Sequence, residues 1–306
     1  MTAWLADPQT ALDRPAPQDF APFEPDIGSY RAAVGELVAE VSQCTSEDSM
    51  CAEHILSRRL AEEQLSSVLA ATPDGRDATI GRLLFEVRNY EPGPRSASSI
   101  AALVRISMLA QIDAVWWGRL PGYQTDDDVL YAAELADLDE LDEAGQLRFS
   151  YRHQADTLLS RAARSAERRA LPGRAPRTAG LWLTRARPQA VAWLNLLAEE
   201  FAHVAPPGTP PLWVTSMARS VSHQRHLRSL GYVALLPSAH CVGYAADIEM
   251  AWYRRFHAHR LLRGLLLDRQ RADEVNVIDE GQAWHVCLRP RIVRGPRRMR
   301  HARTGR

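Results

Sequence analysis

The residues with the clearest chemical potential are two histidines and an aspartate in the C-terminal third of the chain. His240 and Asp247 belong to one short segment, SAHCVGYAAD over residues 238–247, and His285 follows about 40 residues later. A catalytic zinc ion is held by three protein ligands with nitrogen or oxygen donors, and its fourth position is left for water or substrate. Gly243 allows a tight turn between the first two donors, because glycine tolerates backbone conformations that other residues avoid. We therefore predict a zinc site formed by His240, Asp247 and His285.

The segment resembles the signature of the zinc D-alanyl-D-alanine dipeptidases and carboxypeptidases, whose fold is shared with the hedgehog signalling domain. The motif Ser-x-His-x-x-Gly-x-Ala-x-Asp is matched by residues 238–247, and the family's third ligand follows a tryptophan, as in Trp284-His285. The family also has an arginine at a strand end that faces the substrate, and Ser216-Met-Ala-Arg219 lies in the corresponding place. The resemblance covers roughly residues 185–290. It implies a zinc metallopeptidase-like hydrolase in which Arg219 holds an anionic group of a small peptide or amino-acid-derived substrate.

The chain departs from this family at the residue that activates water. In the family a glutamate three residues before the last histidine is the general base, and Gln282 occupies that position here. A neutral amide cannot accept the proton, so we expect hydrolysis to be impaired. Glu280 would share the strand parity of Gln282 and is an alternative base, and so is Glu249, two residues after Asp247.

Three functions therefore stay open at this point. The first is an amidase or peptidase that acts on a small peptide or acylated amine. The second is a cytoplasmic acyl or aminoacyl transferase that uses aminoacyl-tRNA in a small-molecule pathway, because a transferase has no need to activate water. The third is a non-catalytic pseudo-peptidase module that keeps its zinc ion.

The remaining cysteines and histidines are interpreted as structural. Cys241 adjoins one predicted ligand and Cys287 lies two residues beyond another, so both thiols could approach the metal, but small buried hydrophobic residues are the simpler interpretation. We interpret Cys44 and Cys51 as structural residues as well. Four cysteines in 306 residues do not indicate a disulfide scaffold, which favours a cytoplasmic location. His203, His223 and His226 are interpreted in the same way.

The pattern of helices and strands that must position these residues predicts an α+β fold. We expect a loose lead-in over 1–28, a helical region over 29–179, a zinc domain with a small antiparallel sheet over 180–290, and a flexible tail over 291–306.

Within the predicted zinc domain, a helix is expected from Pro188 to Val204 and a short helix from Gln224 to Leu230. A long helix is expected from Ile248 to Arg271, and one or two strands from Val275 to Leu288.

The charges balance over the whole chain but are unevenly distributed. Formal net charge is zero, and all 37 basic residues are arginines. The segment Arg289–Arg306 contains eight arginines and no acidic residue. We predict that this tail contacts an anionic partner such as tRNA; a solubilising tail is the alternative.

No membrane segment is predicted. The N-terminus lacks a basic region followed by an apolar run, so it is not expected to be a secretory signal. The most apolar stretch, Ile100–Gly118, is interrupted by Arg105 and Asp113, which favours a buried helix.

Overall fold

The computed structural model describes residues 25–293 apart from 46–47, 156, 158–161, 163–164, 167–168, 171–172, 174 and 177. Residues 1–24 of the predicted lead-in and residues 294–306 of the predicted tail lie outside this part of the chain. In the described part, the predicted α+β class is confirmed: helices dominate the N-terminal region, and small antiparallel sheets lie in the C-terminal part.

Up to Trp117, the described residues form five helices, which make up the N-terminal region. They are α1 (Ile27–Val41), α2 (Ser49–Arg59), α3 (Glu63–Ala71), α4 (Gly75–Arg88) and α5 (Ile100–Trp117). The side chains of Asp26, Asp48 and Ser99 accept hydrogen bonds from backbone N–H groups in the first turns of α1, α2 and α5. Such caps satisfy donors that have no partner within the helix, and they fix where these helices begin.

The C-terminal part contains two antiparallel sheets. A two-stranded ribbon pairs β1 (Ala136–Asp137) with β2 (Arg185–Ala186), and a four-stranded sheet has the order β3-β4-β6-β5. Its strands are β3 (Val214–Ser216), β4 (Ala245–Glu249), β5 (Val275–Asp279) and β6 (Ala283–Leu288). The helices around these sheets are α6 (Asp126–Leu130), α7 (Leu138–Glu143), α8 (Pro188–Val204), α9 (Val221–Ser229), α10 (His259–Arg271) and α11 (Pro290–Val293), and 3-10 turns lie at Ala239–Val242 and Trp252–Phe256.

Helix α8 has the predicted limits, and the predicted strand region forms the β5–β6 hairpin. The long helix expected from Ile248 to Arg271 is wrong. Ile248 lies in β4, and helix α10 begins only at His259, after a 3-10 turn that ends at the left-handed residue His257. Strand β4 is hydrogen-bonded to both β3 and β6, and this pairing outweighs the helical spacing of its apolar residues.

Residues on both sides of Gly180 share one hydrophobic core. Leu138 and Phe149 pack with residues of α8 and the four-stranded sheet, and β1 pairs with β2 across the same point. Cys44 and Cys51, predicted only to be structural, form a disulfide that joins the turn after α1 to the first turn of α2.

Helix α5 links the two parts of the molecule. By length and composition it could cross a membrane, but 61% of it is buried inside the structure, where it contacts α1, α3, α4 and β5. The tyrosine hydroxyl of Tyr30 on α1 donates to the Met108 carbonyl, and Trp117 donates to the carbonyl of Leu288 on β6. Helix α5 is therefore a core helix that packs against the sheet carrying the candidate site.

Candidate metal centre

The three predicted ligands converge at one buried point. Asp247 on β4 and His285 on β6 are direct partners in the strand register, and His240 lies on the 3-10 turn before β4. The Nε2 atom of His240 lies 3.1 Å from Oδ1 of Asp247 and 3.0 Å from Nδ1 of His285, and the last two atoms are 3.1 Å apart. Such a group of donor atoms can hold a metal ion.

Local structure explains how one short segment supplies two of these side chains. The Ser238 side chain accepts a hydrogen bond from the His240 N–H and caps the 3-10 turn. Gly243 ends the turn with φ at 80°, a left-handed conformation. A Cβ at this position would lie 2.9 Å from the Arg187 side chain, so glycine also meets a packing requirement.

Each histidine uses its second ring nitrogen to bind the protein. Nδ1 of His240 donates to the carbonyl oxygen of Met217 at 2.7 Å, and Nε2 of His285 donates to Oδ2 of Asp113 at 2.8 Å. A carbonyl or carboxylate can only accept, so these bonds leave a lone pair on the opposite nitrogen of each neutral ring. Metal-binding histidines are oriented by partners of this kind.

The three inward-facing atoms fit a small cation. Two nitrogen lone pairs and a carboxylate oxygen about 3 Å apart repel one another unless positive charge lies between them. Ligands at about 2.0–2.2 Å from a tetrahedral zinc ion are separated by roughly 3.3–3.6 Å, so only a small expansion is required.

The pKa shifts of His240, Asp247 and His285 indicate how the three side chains can lie together without a metal ion. Burial lowers the pKa of His240 to about 4, and the positive charge of Arg219 adds to this effect. Burial alone would raise the pKa of Asp247, but His240 and Arg219 hold it well below its usual range. Burial also opposes the charged form of His285, yet hydrogen bonds to Asp113 and Asp247 outweigh it and raise its pKa to about 10. A proton on His285 therefore supplies the positive charge that a metal would replace.

Arg219 lies against Asp247, one of the three candidate metal ligands. One terminal nitrogen of its guanidinium donates to Oδ2 of Asp247, Nε donates to Ser216 at 2.6 Å, and the other terminal nitrogen donates to Gln224 at 3.2 Å. These bonds fix the plane of the guanidinium. The resemblance implies that Arg219 faces the substrate; the structure places it at the cavity wall, in contact with the candidate ligand Asp247.

Glu280 and Gln282 flank Gly281 in the turn between β5 and β6, so neither lies within a strand and the parity comparison between them does not apply. Both line the same cavity as Asp247. The Glu280 side chain is accessible to solvent, yet its carboxyl lies among the walls of this cavity. Desolvation there and the negative charge of Asp247 raise its pKa to about 7. Glu249 also lines the cavity, but its carboxylate accepts the Trp252 N–H at 3.0 Å.

Cys241 and Cys287 are free and buried, and neither belongs to the converging group of donor atoms. Burial raises the pKa of Cys241 to about 11 and that of Cys287 well above its usual value. Cys287 packs with Trp117 and Tyr244, which agrees with its interpretation as a buried hydrophobic residue.

Asp113 is the site residue that the sequence motif did not reveal. Its Oδ1 atom accepts a hydrogen bond from Asn276 at 2.9 Å, and Asn276 in turn accepts one from Arg31 at 3.2 Å. The only signal in the sequence is an acidic residue inside an apolar helix, because a carboxylate is costly to bury without a partner. The same acidic residue argues against a membrane span, and no local pattern connects it to His285.

The metal centre borders an open cavity of about 1510 Å³, which Asp247, Arg219 and Glu280 help to line. Typical small-molecule sites occupy about 300–1,000 Å³. His223, which we interpreted as an ordinary structural histidine, also lines this cavity.

Comparisons with protein-family models, with curated proteins and with solved structures gave no match. The fold and the site therefore define the class of the protein by their own geometry: an α+β protein with a buried His-Asp-His group that could hold a metal ion.

Proposed function

We propose that the chain is a zinc-dependent enzyme of acyl chemistry, an amidase or peptidase that acts on a small peptide or acylated amine. The observation that carries this proposal is the convergence of His240, Asp247 and His285 with both histidine rings oriented by acceptors on the protein. Two imidazoles and one carboxylate are a ligand set that suits zinc better than magnesium or calcium. Asp247 lines the cavity, so the site is reached from it.

A zinc ion at this position would polarise a carbonyl and make bound water more acidic. Side chains of the protein would accept the proton that this water loses. Glu280 lines the same cavity wall as Asp247, and its carboxylate can accept a proton and return it. The structure supports Glu280 as the base over Gln282, since both line the cavity and only the carboxylate can take a proton.

Arg219 would contribute positive charge beside the metal. Its guanidinium is held by Ser216 and Gln224 and contacts Asp247, so its position does not depend on the substrate. A carboxylate or developing negative charge of the substrate would be stabilised by this fixed cation.

The second candidate is an acyl or aminoacyl transferase. It is favoured by the amide at Gln282 and by a cavity larger than a dipeptide needs. An amine nucleophile would replace water, and the acyl donor would occupy the cavity. The predicted contact between tRNA and the arginine-rich tail belongs to this candidate, and most of that tail lies outside the described residues.

Turnover with and without zinc tests the proposal. Aminoacyl amides, aminoacyl esters and dipeptides would be supplied to the zinc-loaded protein, to the chelated protein, and to a His240→Ala/His285→Ala variant. We expect release of the free acid only from the zinc-loaded protein. Release of an acyl product only when a second amine is added would favour the transferase, and no turnover of any kind with zinc bound would contradict both candidates.

A further inference from the structure

The cavity beside the metal centre is much larger than a dipeptide requires. Its volume of about 1510 Å³ exceeds the range of about 300–1,000 Å³ that is usual for small-molecule sites. The metal centre occupies one part of its wall, through Asp247. The rest of the cavity can therefore hold a second, larger part of a substrate.

The charged side chains that line this cavity are mostly basic. Six are arginines and three are acidic, namely Arg95, Arg105, Arg152, Arg219, Arg254 and Arg255 against Asp247, Glu249 and Glu280. Two of the acids already have partners, because Asp247 contacts Arg219 and Glu249 accepts the Trp252 N–H. The whole chain has no net charge, so the positive charge of the cavity is a local property.

Two exposed arginines of the cavity differ from many arginines elsewhere in the chain in having no acidic partner within the described residues. Arg59 and Arg269 each pair with glutamates. Arg254 and Arg255 are consecutive in the 3-10 turn at Trp252–Phe256 and line the cavity, and within the described part of the chain neither has an ion pair; the Arg255 guanidinium packs beside Gly173, which lines the same cavity. A guanidinium presents a planar fork of donors that suits phosphate. Such a pair is available to bind an anionic group that enters the cavity.

Two aromatic rings that solvent reaches lie in the same lining. Trp182 is 43% exposed and Tyr232 is 42% exposed. The Trp182 indole donates to Asp126 at 2.6 Å and stacks on His223 with 5° between the planes, so its orientation is fixed. Proteins that bind single-stranded nucleic acid combine aromatic rings for base stacking with basic side chains for phosphate.

We propose that the cavity binds a nucleotide as the larger part of the substrate, with phosphate at Arg254 and Arg255 and the base against Trp182 or Tyr232. A group attached to this nucleotide would then reach the metal centre. This last step rests on the proposed function, whereas nucleotide binding does not.

Calorimetric titration of the full zinc-loaded chain tests the proposal. The probes are adenosine 5′-monophosphate, adenosine, inorganic phosphate and the RNA trinucleotide CCA. We expect the monophosphate to bind more tightly than adenosine or phosphate alone. Arg254→Ala/Arg255→Ala should weaken the monophosphate about 10- to 100-fold and leave adenosine unchanged, since hydrogen bonds to charged groups are strong. Loss of the stacking ring, in Trp182→Ala or Tyr232→Ala, should weaken both by about 5- to 150-fold.

The matched control is Arg260→Ala/Arg263→Ala, which removes two exposed arginines of α10 that do not line the cavity. Circular dichroism would confirm that each variant is folded. Tighter binding of the trinucleotide than of the monophosphate would identify an RNA end as the ligand, and equal binding would identify a small nucleotide.

Absence of binding by both nucleotide probes at millimolar concentration would overturn the proposal, and so would an equal loss in the control variant. The zinc content of the same samples distinguishes failure of the proposed zinc enzyme from failure of the proposed nucleotide site. Zinc without nucleotide binding leaves the proposed function in place, and nucleotide binding without zinc leaves only the cavity proposal. Loss of nucleotide binding in the His240→Ala/His285→Ala variant would show that the phosphate binds the metal, which also contradicts the assignment to arginine.

Discussion

Nε2 of His285 lies 2.8 Å from Oδ2 of Asp113, and this hydrogen bond connects the C-terminal sheet to helix α5. Both side chains are buried, and the second oxygen of Asp113 is held by Asn276. The helical region therefore supplies a partner that orients a candidate metal ligand. Through Asp113, the helical region is part of the candidate site.

Replacing this carboxylate should weaken zinc binding. In Asp113→Asn the amide can still accept the His285 N–H, but it loses the negative charge that makes the imidazole a better ligand. We expect zinc affinity to fall about 10- to 100-fold, the usual effect of losing such a partner. Competition with a chromogenic chelator would measure it. Asp268→Asn, which removes an exposed carboxylate paired with Arg271, is the matched control, and equal affinities for the two variants would contradict the role of Asp113.

Zinc affinity should rise with pH. Without metal, the pKa of His285 is about 10, so Nδ1 carries a proton at neutral pH that zinc must displace. The pKa of His240 is about 4 and that of Asp247 is well below its usual range, so neither competes for protons near neutrality. We expect an increase of about tenfold per pH unit above pH 7, with release of about one proton, and titration in buffers of different ionisation enthalpy would detect it. Affinity independent of pH would contradict the protonated state of His285.

Exchanging the carboxyl and amide of the β5–β6 turn separates the roles of Glu280 and Gln282. If Glu280 is the base, Glu280→Gln should lower turnover by about 10²–10⁴-fold without loss of zinc, and it should remove the acid limb from the pH profile of the rate. Gln282→Glu should raise hydrolysis, because it adds a second carboxylate to the cavity wall that Asp247 lines. Unchanged turnover in Glu280→Gln would exclude this residue as the base.

Arg219→Lys keeps the positive charge beside Asp247 and loses the planar fork that also reaches Ser216 and Gln224. We expect weaker binding of substrates with a carboxylate, seen as a higher KM, because an ammonium cannot replace a fixed guanidinium. Arg148→Lys is the control, since Arg148 is half exposed and pairs only weakly with Glu199. The same KM in both variants would count against a substrate-binding role for Arg219.

The sequence was informative where chemistry depends on short spacing. His240, Gly243 and Asp247 lie in one segment whose turn and strand are set locally, so two of the three candidate ligands could be predicted from it. Helix α8 could be predicted for the same reason, as its proline start and apolar face are local features.

Contacts between distant residues were not predictable in this way. Asp113 and His285 are 172 residues apart, and no local pattern links them. Ile248 has helical spacing, but pairing with strands before and after it in the chain places it in β4. The charge of the cavity also arises only in the fold, because Arg95, Arg105 and Arg254 come from three separate segments.

Elemental analysis of the purified chain tests the central claim most directly. We expect one zinc ion per chain in the wild type and none in the His240→Ala/His285→Ala variant. In a His203→Ala/His226→Ala control, which removes two exposed histidines, the zinc content should be unchanged. Absence of stoichiometric metal from the wild type, or full occupancy in the His240→Ala/His285→Ala variant, would contradict the metal centre described above.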